Sequence, residues 1–273
     1  MEAARGRGAP EPLPVELCRQ RRPERWVTPA IVIAALAAWE WSVRTGLASP
    51  LFFPAPSSIA ATGMRLLATG ELGRHTAATL YRVLIGFAVG GLAGLVLGLV
   101  MGWWPRLRAV VDPLIAATHP LPKIALLPLI MIFFGIGEIS RVIAVGIAAF
   151  FPMLINAMAG VRQIHPIYYE VARNYGAGPA RVLTRVVMPG SLPLVLVGAR
   201  LSLNSALLVT IAVELISAQE GLGSAIWLAW ETLQTEKLYV GLMVIAVLGV
   251  SINQLLQLLT RRLAPWQTEH GTW

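Results

Sequence analysis

One cysteine in 273 residues excludes two kinds of site at once. Cys18 can build neither a disulfide framework nor a cysteine metal cluster, and it stands in a polar stretch. Histidine is nearly as sparse: His75, His119, His165 and His270 lie too far apart for any metal-ligand spacing. Lysine occurs only as Lys123, after Pro122, and Lys237, after Glu236. A phosphate-binding P-loop needs a lysine directly after a glycine, so the chain carries no nucleotide site of that kind. Charge of either sign is scarce, at 13% of residues against about a quarter in soluble domains. No constellation of acids, bases and nucleophiles converges as an embedded enzyme would require. No catalytic residue, metal ligand or cofactor is therefore expected.

What the chain has instead is apolar residues, 56% of the total, which places it in a lipid bilayer. The net charge of +8 does not imply nucleic acid, because the basic residues are scattered between apolar runs with no aromatic-interleaved patch. About 20 residues of low charge are needed to cross a hydrocarbon core. Six segments qualify: residues 27–45, 83–101, 113–134, 139–160, 192–216 and 238–259. The expected fold is an all-α membrane protein, a bundle of six transmembrane helices over residues 26–265. Residues 1–25 are rich in Arg and Pro and lack an apolar run, which predicts a disordered basic tail and not a signal peptide. Residues 266–273 form a second short tail.

Orientation follows from arginine. Most basic residues fall in the first tail, at Arg106 and Arg108, at Arg162, Arg173, Arg181 and Arg185, and at Arg261 and Arg262. Cytoplasmic loops retain such charge, so both termini and the loop between spans four and five are expected inside. Residues 57–72 follow Phe53, Pro54, Ala55 and Pro56 and read as a serine-capped amphipathic helix, at the outer surface or packed on the bundle. Gly86, Gly90, Gly94, Gly98 and Gly102 recur every four residues along the second span. Such a stripe permits close backbone contact with a helix crossing at an angle, within one subunit or between two.

The loop between spans four and five is the most informative polar segment. Pro166 suits a first helical position, residues 167–174 fill about two turns, and Gly176 suits a left-handed close. Gly178 and Pro179 restart a second helix, and Pro189 marks entry into the fifth span. Tyr168, Tyr169 and Tyr175 add the amphipathic area expected where a partner docks.

In register, Glu170, Val171, Ala172, three residues, Gly176, nine residues, Val186, Val187, Met188 and Pro189 resemble the EAA loop of membrane subunits of binding-protein-dependent ABC importers. Val171, Val186 and Met188 depart from that pattern by apolar substitution. The likeness extends over roughly residues 53–266. Residues 53–57, Arg82 to Phe87, Pro122 to Leu129 and Phe134 to Gly137 are similar to the branch serving nitrate, sulfonates, taurine and some vitamin precursors.

The resemblance implies a coupling helix within residues 166–189, with Glu170, Ala172, Arg173, Tyr175, Gly176 and Pro189 facing an ATPase subunit. It further implies a homodimeric permease of a bacterial inner membrane, two ATP-binding subunits and an extracytoplasmic solute-binding protein. The solute would be a small anion of the sulfonate, taurine or nitrate class, or alternatively a vitamin precursor such as a thiamine pyrimidine.

Lys123 and Arg200 are costly at membrane depth and, with Asn204, are candidates to line the solute pathway. Pro120, Pro122 and Pro128 surround Lys123 and predict a broken third helix. Snorkelling to the interface is the alternative for both cations. Glu214, Asn204 and Asn156 also suit interhelical hydrogen bonds. An ion-coupled secondary transporter is the rival class, and it would be expected to show inverted repeats and paired intramembrane carboxylates.

Overall fold

The computed structural model describes residues 24–217 and 219–264, all helix and connecting turn among the described residues. The basic tail, Cys18 and the tail after residue 265 lie outside the described residues, except that the first helix already begins at Glu24. The chain divides into two units, residues 1–56 and 57–273. The first unit holds α1, Glu24–Arg44, built on the uninterrupted apolar run of residues 30–38. Near its end Glu40 and Arg44 pair one turn apart at 2.6 Å.

The second unit opens with α2, Pro56–Ala68. Pro56 takes the first helical position, so Ser57 and Ser58 lie inside the first turn instead of capping it. Ile59, Thr62 and Leu66, spaced at three and four residues, form its buried face. α3 runs Glu71–Trp103, and α4, Pro105–Thr118, follows a single extended residue, Trp104. Next come a 3-10 turn, Lys123–Leu126, and α5, Leu127–Phe134. Then follow α6, Glu138–Arg162, and α7, Pro166–Asn174. α8, Pro179–Val182, passes through a π-helical turn, Leu183–Val187, into α9, Met188–Ser217. α10, Leu222–Glu231, and α11, Thr235–Leu263, complete the unit. Thr62 donates to Glu236 at 2.6 Å, so α2 packs on the start of α11.

α6 is the centre, packed between α3 and α9. The glycine stripe explains the first contact: Gly86, Gly90, Gly94, Gly98 and Gly102 all face α6. A Cβ at Gly90 would overlap the Gly146 carbonyl, and one at Gly98 would sit 2.5 Å from the Leu154 carbonyl oxygen. The stripe therefore serves packing within one subunit. Val83, Val145, Ala149, Leu203 and Ala206 fill the layer where α3, α6 and α9 meet. α10 lies against α9 and α11 as an additional short helix between the last two long ones.

Among the described residues, four helical runs are long and apolar enough to cross a membrane: α3, α6, the continuous run Pro179–Ser217, and α11. A fifth is formed if α4 and the run Lys123–Phe134 count as one span, for they meet at a 91° bend. The bend falls where the prolines predicted it. Pro120 and Pro122 cannot donate backbone hydrogen bonds, while Pro128 sits in the first turn of α5, where no donor is needed.

Candidate functional site

α7 owes its boundaries to four residues. His165 Nδ1 accepts from the Ile167 amide at 3.3 Å, and Pro166 takes the first helical position. At the other end the Gly176 amide donates to the Arg173 carbonyl and the Ala177 amide to the Ala172 carbonyl, both at 2.9 Å. That pair of bonds is a Schellman closure, which needs a left-handed residue, and Gly176 has φ +70°. A Cβ at Gly176 would meet nothing within 4 Å, so dihedral angle and not space demands glycine here.

The helix presents an open surface. Ile167, Tyr168, Val171 and Tyr175 are exposed, Tyr175 to 85%. Glu170 is exposed and has no ion-pair partner among the described residues, while Ala172 is half-buried. Arg173 points the other way, into a cavity of about 500 Å³ shared with Arg162, Trp103 and Tyr169. Trp103 and Tyr169 meet edge to face at 6.3 Å. Burial raises the Tyr169 phenol pKa above its ordinary value, so it remains a neutral group at physiological pH.

Pro189 is the second residue of α9, where the sequence placed entry into the fifth span, but the second helix is not separate from that span. The run from Pro179 to Ser217 is continuous, with Pro189 inside it. Pro189 lacks the amide that would bond the Arg185 carbonyl, and its ring would crowd that carbonyl in an ordinary α-helix. The π-helical turn just before it absorbs the conflict, with the Met188 amide donating to the Leu183 carbonyl. Thus only residues 175–178 separate the exposed α7 from a helix that extends through a membrane span.

The pathway candidates divide into two places. Lys123 donates to the His119 carbonyl and sits 4.9 Å over the Phe151 ring. It lines a cavity of about 410 Å³ with Phe151, Ser205 and Leu208. Arg200 and Asn204 are one turn apart on α9 and both donate to Asn253 Oδ1 of α11, at 3.0 and 3.5 Å. They tie two helices together and do not join Lys123.

Residues 90–266, more than half of the chain, match the family model described as binding-protein-dependent transport system inner membrane component. The chain belongs to that family. The matched region contains α6, α7 and all of the run Pro179–Ser217. This permease is 36% identical over 252 residues to the taurine transport system permease protein TauC of Escherichia coli K12, covering 90% of this chain and 92% of that one. It is 32% identical over 242 residues to the aliphatic sulfonates transport permease protein SsuC of Bacillus subtilis 168, covering 89% of this chain and 87% of that one. Its fold is similar to an inward-facing crystal form of the MetNI methionine ABC transporter, with a TM-score of 0.58 at 19% identity over 73% of this chain and 97% of that chain.

The permease also contains a charge cluster, buried except at Glu138, that the sequence pattern did not suggest. Arg82 of α3 donates through Nη1 to Glu214 of α9 and to the Glu220 carbonyl, each at 2.6 Å. Its Nε and Nη2 grip both oxygens of Glu138 at 2.7 Å. Glu214, fully buried, also accepts from Thr79 at 2.9 and 3.0 Å and from the Gly223 amide at 2.9 Å. Arg141 pairs with Glu138 at 2.5 Å and donates to the Ser217 carbonyl. Two arginines and two glutamates thus balance in charge while pinning the start of α10 to α3, α6 and α9. Gly221, at φ +130°, is required because a Cβ there would overlap the Glu214 carboxylate. The sequence signal was present as Arg82, Arg141 and Glu214, but no spacing along the chain links the three.

Proposed function

We propose that the chain is one of two identical permease subunits of an ATP-driven importer for a small organic anion of the sulfonate or taurine class. Two ATP-binding subunits supply the energy, since the chain has no P-loop, and an extracytoplasmic protein delivers the solute. The taurine and aliphatic sulfonate permeases among its relatives support the sulfonate end of the class over nitrate. α1 and the bent pair each count as a span in this reading, which makes six, with both termini and α7 in the cytoplasm.

The observation that carries the proposal is the build of α7. It is a short exposed helix fixed at both ends, four residues away from a rod that extends through a span. Glu170, Ala172, Arg173, Tyr175 and Gly176 belong to the docking element, and Pro189 lies where its motion enters the rod. The ATPase pair binds the inward- and outward-facing states with different affinity, and that difference drives the switch. Lys123, in its cavity beside the broken span, is the cation we assign to the anion pathway.

The test is a pair of substitutions at Gly176. A β-branched residue is strained in the left-handed region by at least ~1–2 kcal/mol, whereas asparagine tolerates it. In proteoliposomes holding the assembled transporter, Gly176→Val should keep ATP hydrolysis and lower taurine or alkanesulfonate uptake about tenfold, while Gly176→Asn retains most uptake. Full uptake by the valine variant would overturn the coupling role of α7.

A further inference from the structure

The guanidiniums of Arg162 and Arg173 have no hydrogen-bond or ion-pair partner among the described residues, and both residues line the cavity of about 500 Å³ beneath α7. No carboxylate lines that cavity, and its walls include Trp103, Tyr169 and Pro179. The two buried arginines, Arg82 and Arg141, are paired with glutamates, whereas Arg162 and Arg173 are exposed and open to a ligand. Two unpaired guanidiniums converging on one space form an anion site.

A second cavity, of about 510 Å³, adjoins the first and shares Trp103 and Pro179 with it. Its character is opposite. Val96, Leu99 and Val100 of α3 face Leu183 and Met188 of the π turn and α9 across it, with no charged lining. Val96 to Trp103 spans about 10 Å along α3, and both walls belong to membrane-crossing runs. The combined shape is an apolar groove at membrane depth that opens onto a doubly cationic head site.

We infer that this composite cavity binds one anionic phospholipid, with its phosphate on Arg162 and Arg173 and an acyl chain along Val96, Leu99 and Leu183. A free sulfonate or an acidic segment of the ATPase would satisfy the arginines but leave the apolar groove without an occupant. A phospholipid matches both halves, and basic pockets between membrane helices are known sites for such head groups. Trp103, at the junction, has the amphipathic character of an interfacial anchor. Because Arg173, Tyr169 and Ala177 form one wall, an occupied site braces α7 and its closing turn against the ends of α3 and α6.

The experiment is native mass spectrometry on the delipidated permease purified with its ATPase subunit and titrated with phosphatidylglycerol or phosphatidylcholine. We expect one phosphatidylglycerol retained per permease chain and no comparable retention of phosphatidylcholine. Arg162→Gln with Arg173→Gln should weaken that retention about thirtyfold, the effect of two basic residues facing an anionic surface. Arg162→Lys with Arg173→Lys, which keeps the charge, should restore most of it and shows that the site and not folding was lost. Ala180→Trp, which fills the apolar groove, should weaken lipid binding with both arginines intact. Equal retention by the glutamine variant would overturn the assignment. So would displacement of the lipid by inorganic phosphate or taurine at like concentration, which identifies a soluble-anion site. Binding only after the ATPase subunit is removed would overturn it as well, because the cavity would then belong to that partner.

Discussion

Arg82 makes four hydrogen bonds to three acceptor groups inside a membrane helix, and its worth depends on which group is removed. Arg82→Met leaves Glu214 fully buried with only Thr79 and the Gly223 amide as donors, and an uncompensated buried charge costs about 3–5 kcal/mol. Replacing the pair together, Arg82→Met with Glu214→Leu, removes the orphaned carboxylate and should recover part of that loss, since buried pairs are often nearly neutral against apolar substitutes. Thermal unfolding in detergent of the wild type, both single variants and the double variant gives the coupling energy directly. Additive single effects would show that Arg82 and Glu214 do not act as a unit. Gly176 illustrates the opposite case, a residue fixed by one dihedral angle with open space around it.

At the level of elements, the start and the middle of α3 make opposite demands on glycine. Gly90→Ala would push a methyl group into the Gly146 carbonyl and separate α3 from α6, an overpacking cost of about 1–3 kcal/mol. Gly73, in the first turn, meets nothing within 4 Å, so Gly73→Ala should stabilise by about 0.4–1 kcal/mol through the unfolded chain. Unfolding midpoints moving in opposite directions are the expected result, and a neutral Gly90→Ala would refute the close approach of α3 and α6. The stripe that produces this contact was legible in the sequence because a four-residue repeat has one geometric meaning on a helix. The bounds of α7 were legible for a similar reason, with Pro166 and Gly176 each specifying a local dihedral angle. Pro189 marked the start of α9, but the π turn that joins α8 to it was not legible, because it depends on the helix continuing on both sides. α10 was hidden because its ten residues, among them Gly223, Ser224 and Glu231, are too few for a span. The Arg82, Glu138, Arg141 and Glu214 cluster was hidden because its members lie far apart in the chain, and each alone reads as a loop charge or a lone polar residue.

For the molecule as a whole, the proposed function requires α7 on the cytoplasmic side, since a coupling helix on the other side could not meet an ATPase. The continuous run Pro179–Ser217 places α7 and the charge cluster at opposite ends of one rod, the first beside Pro179 and the second around Glu214 and Ser217. Arginine content distinguishes the two ends. Arg162, Arg173, Arg181 and Arg185 gather near α7, whereas Arg82 and Arg141 at the far end are neutralised by Glu138 and Glu214. Basic residues near span ends bias a segment toward the cytoplasm, so the arginines gathered near α7 support its proposed placement inside. The chain supplies its own reporter, because Cys18 is its only cysteine and lies in the segment before α1. With an odd number of crossings between that segment and the far end of the rod, Cys18 and Glu220 should face opposite sides. A membrane-impermeant maleimide should therefore label Cys18 in inverted vesicles and spare it in right-side-out ones. A Cys18→Ser, Glu220→Cys variant should show the reverse pattern. Labelling of both positions from the same side would refute the span count, and labelling of Cys18 from outside alone would invert the orientation and remove α7 from the reach of any cytoplasmic ATPase.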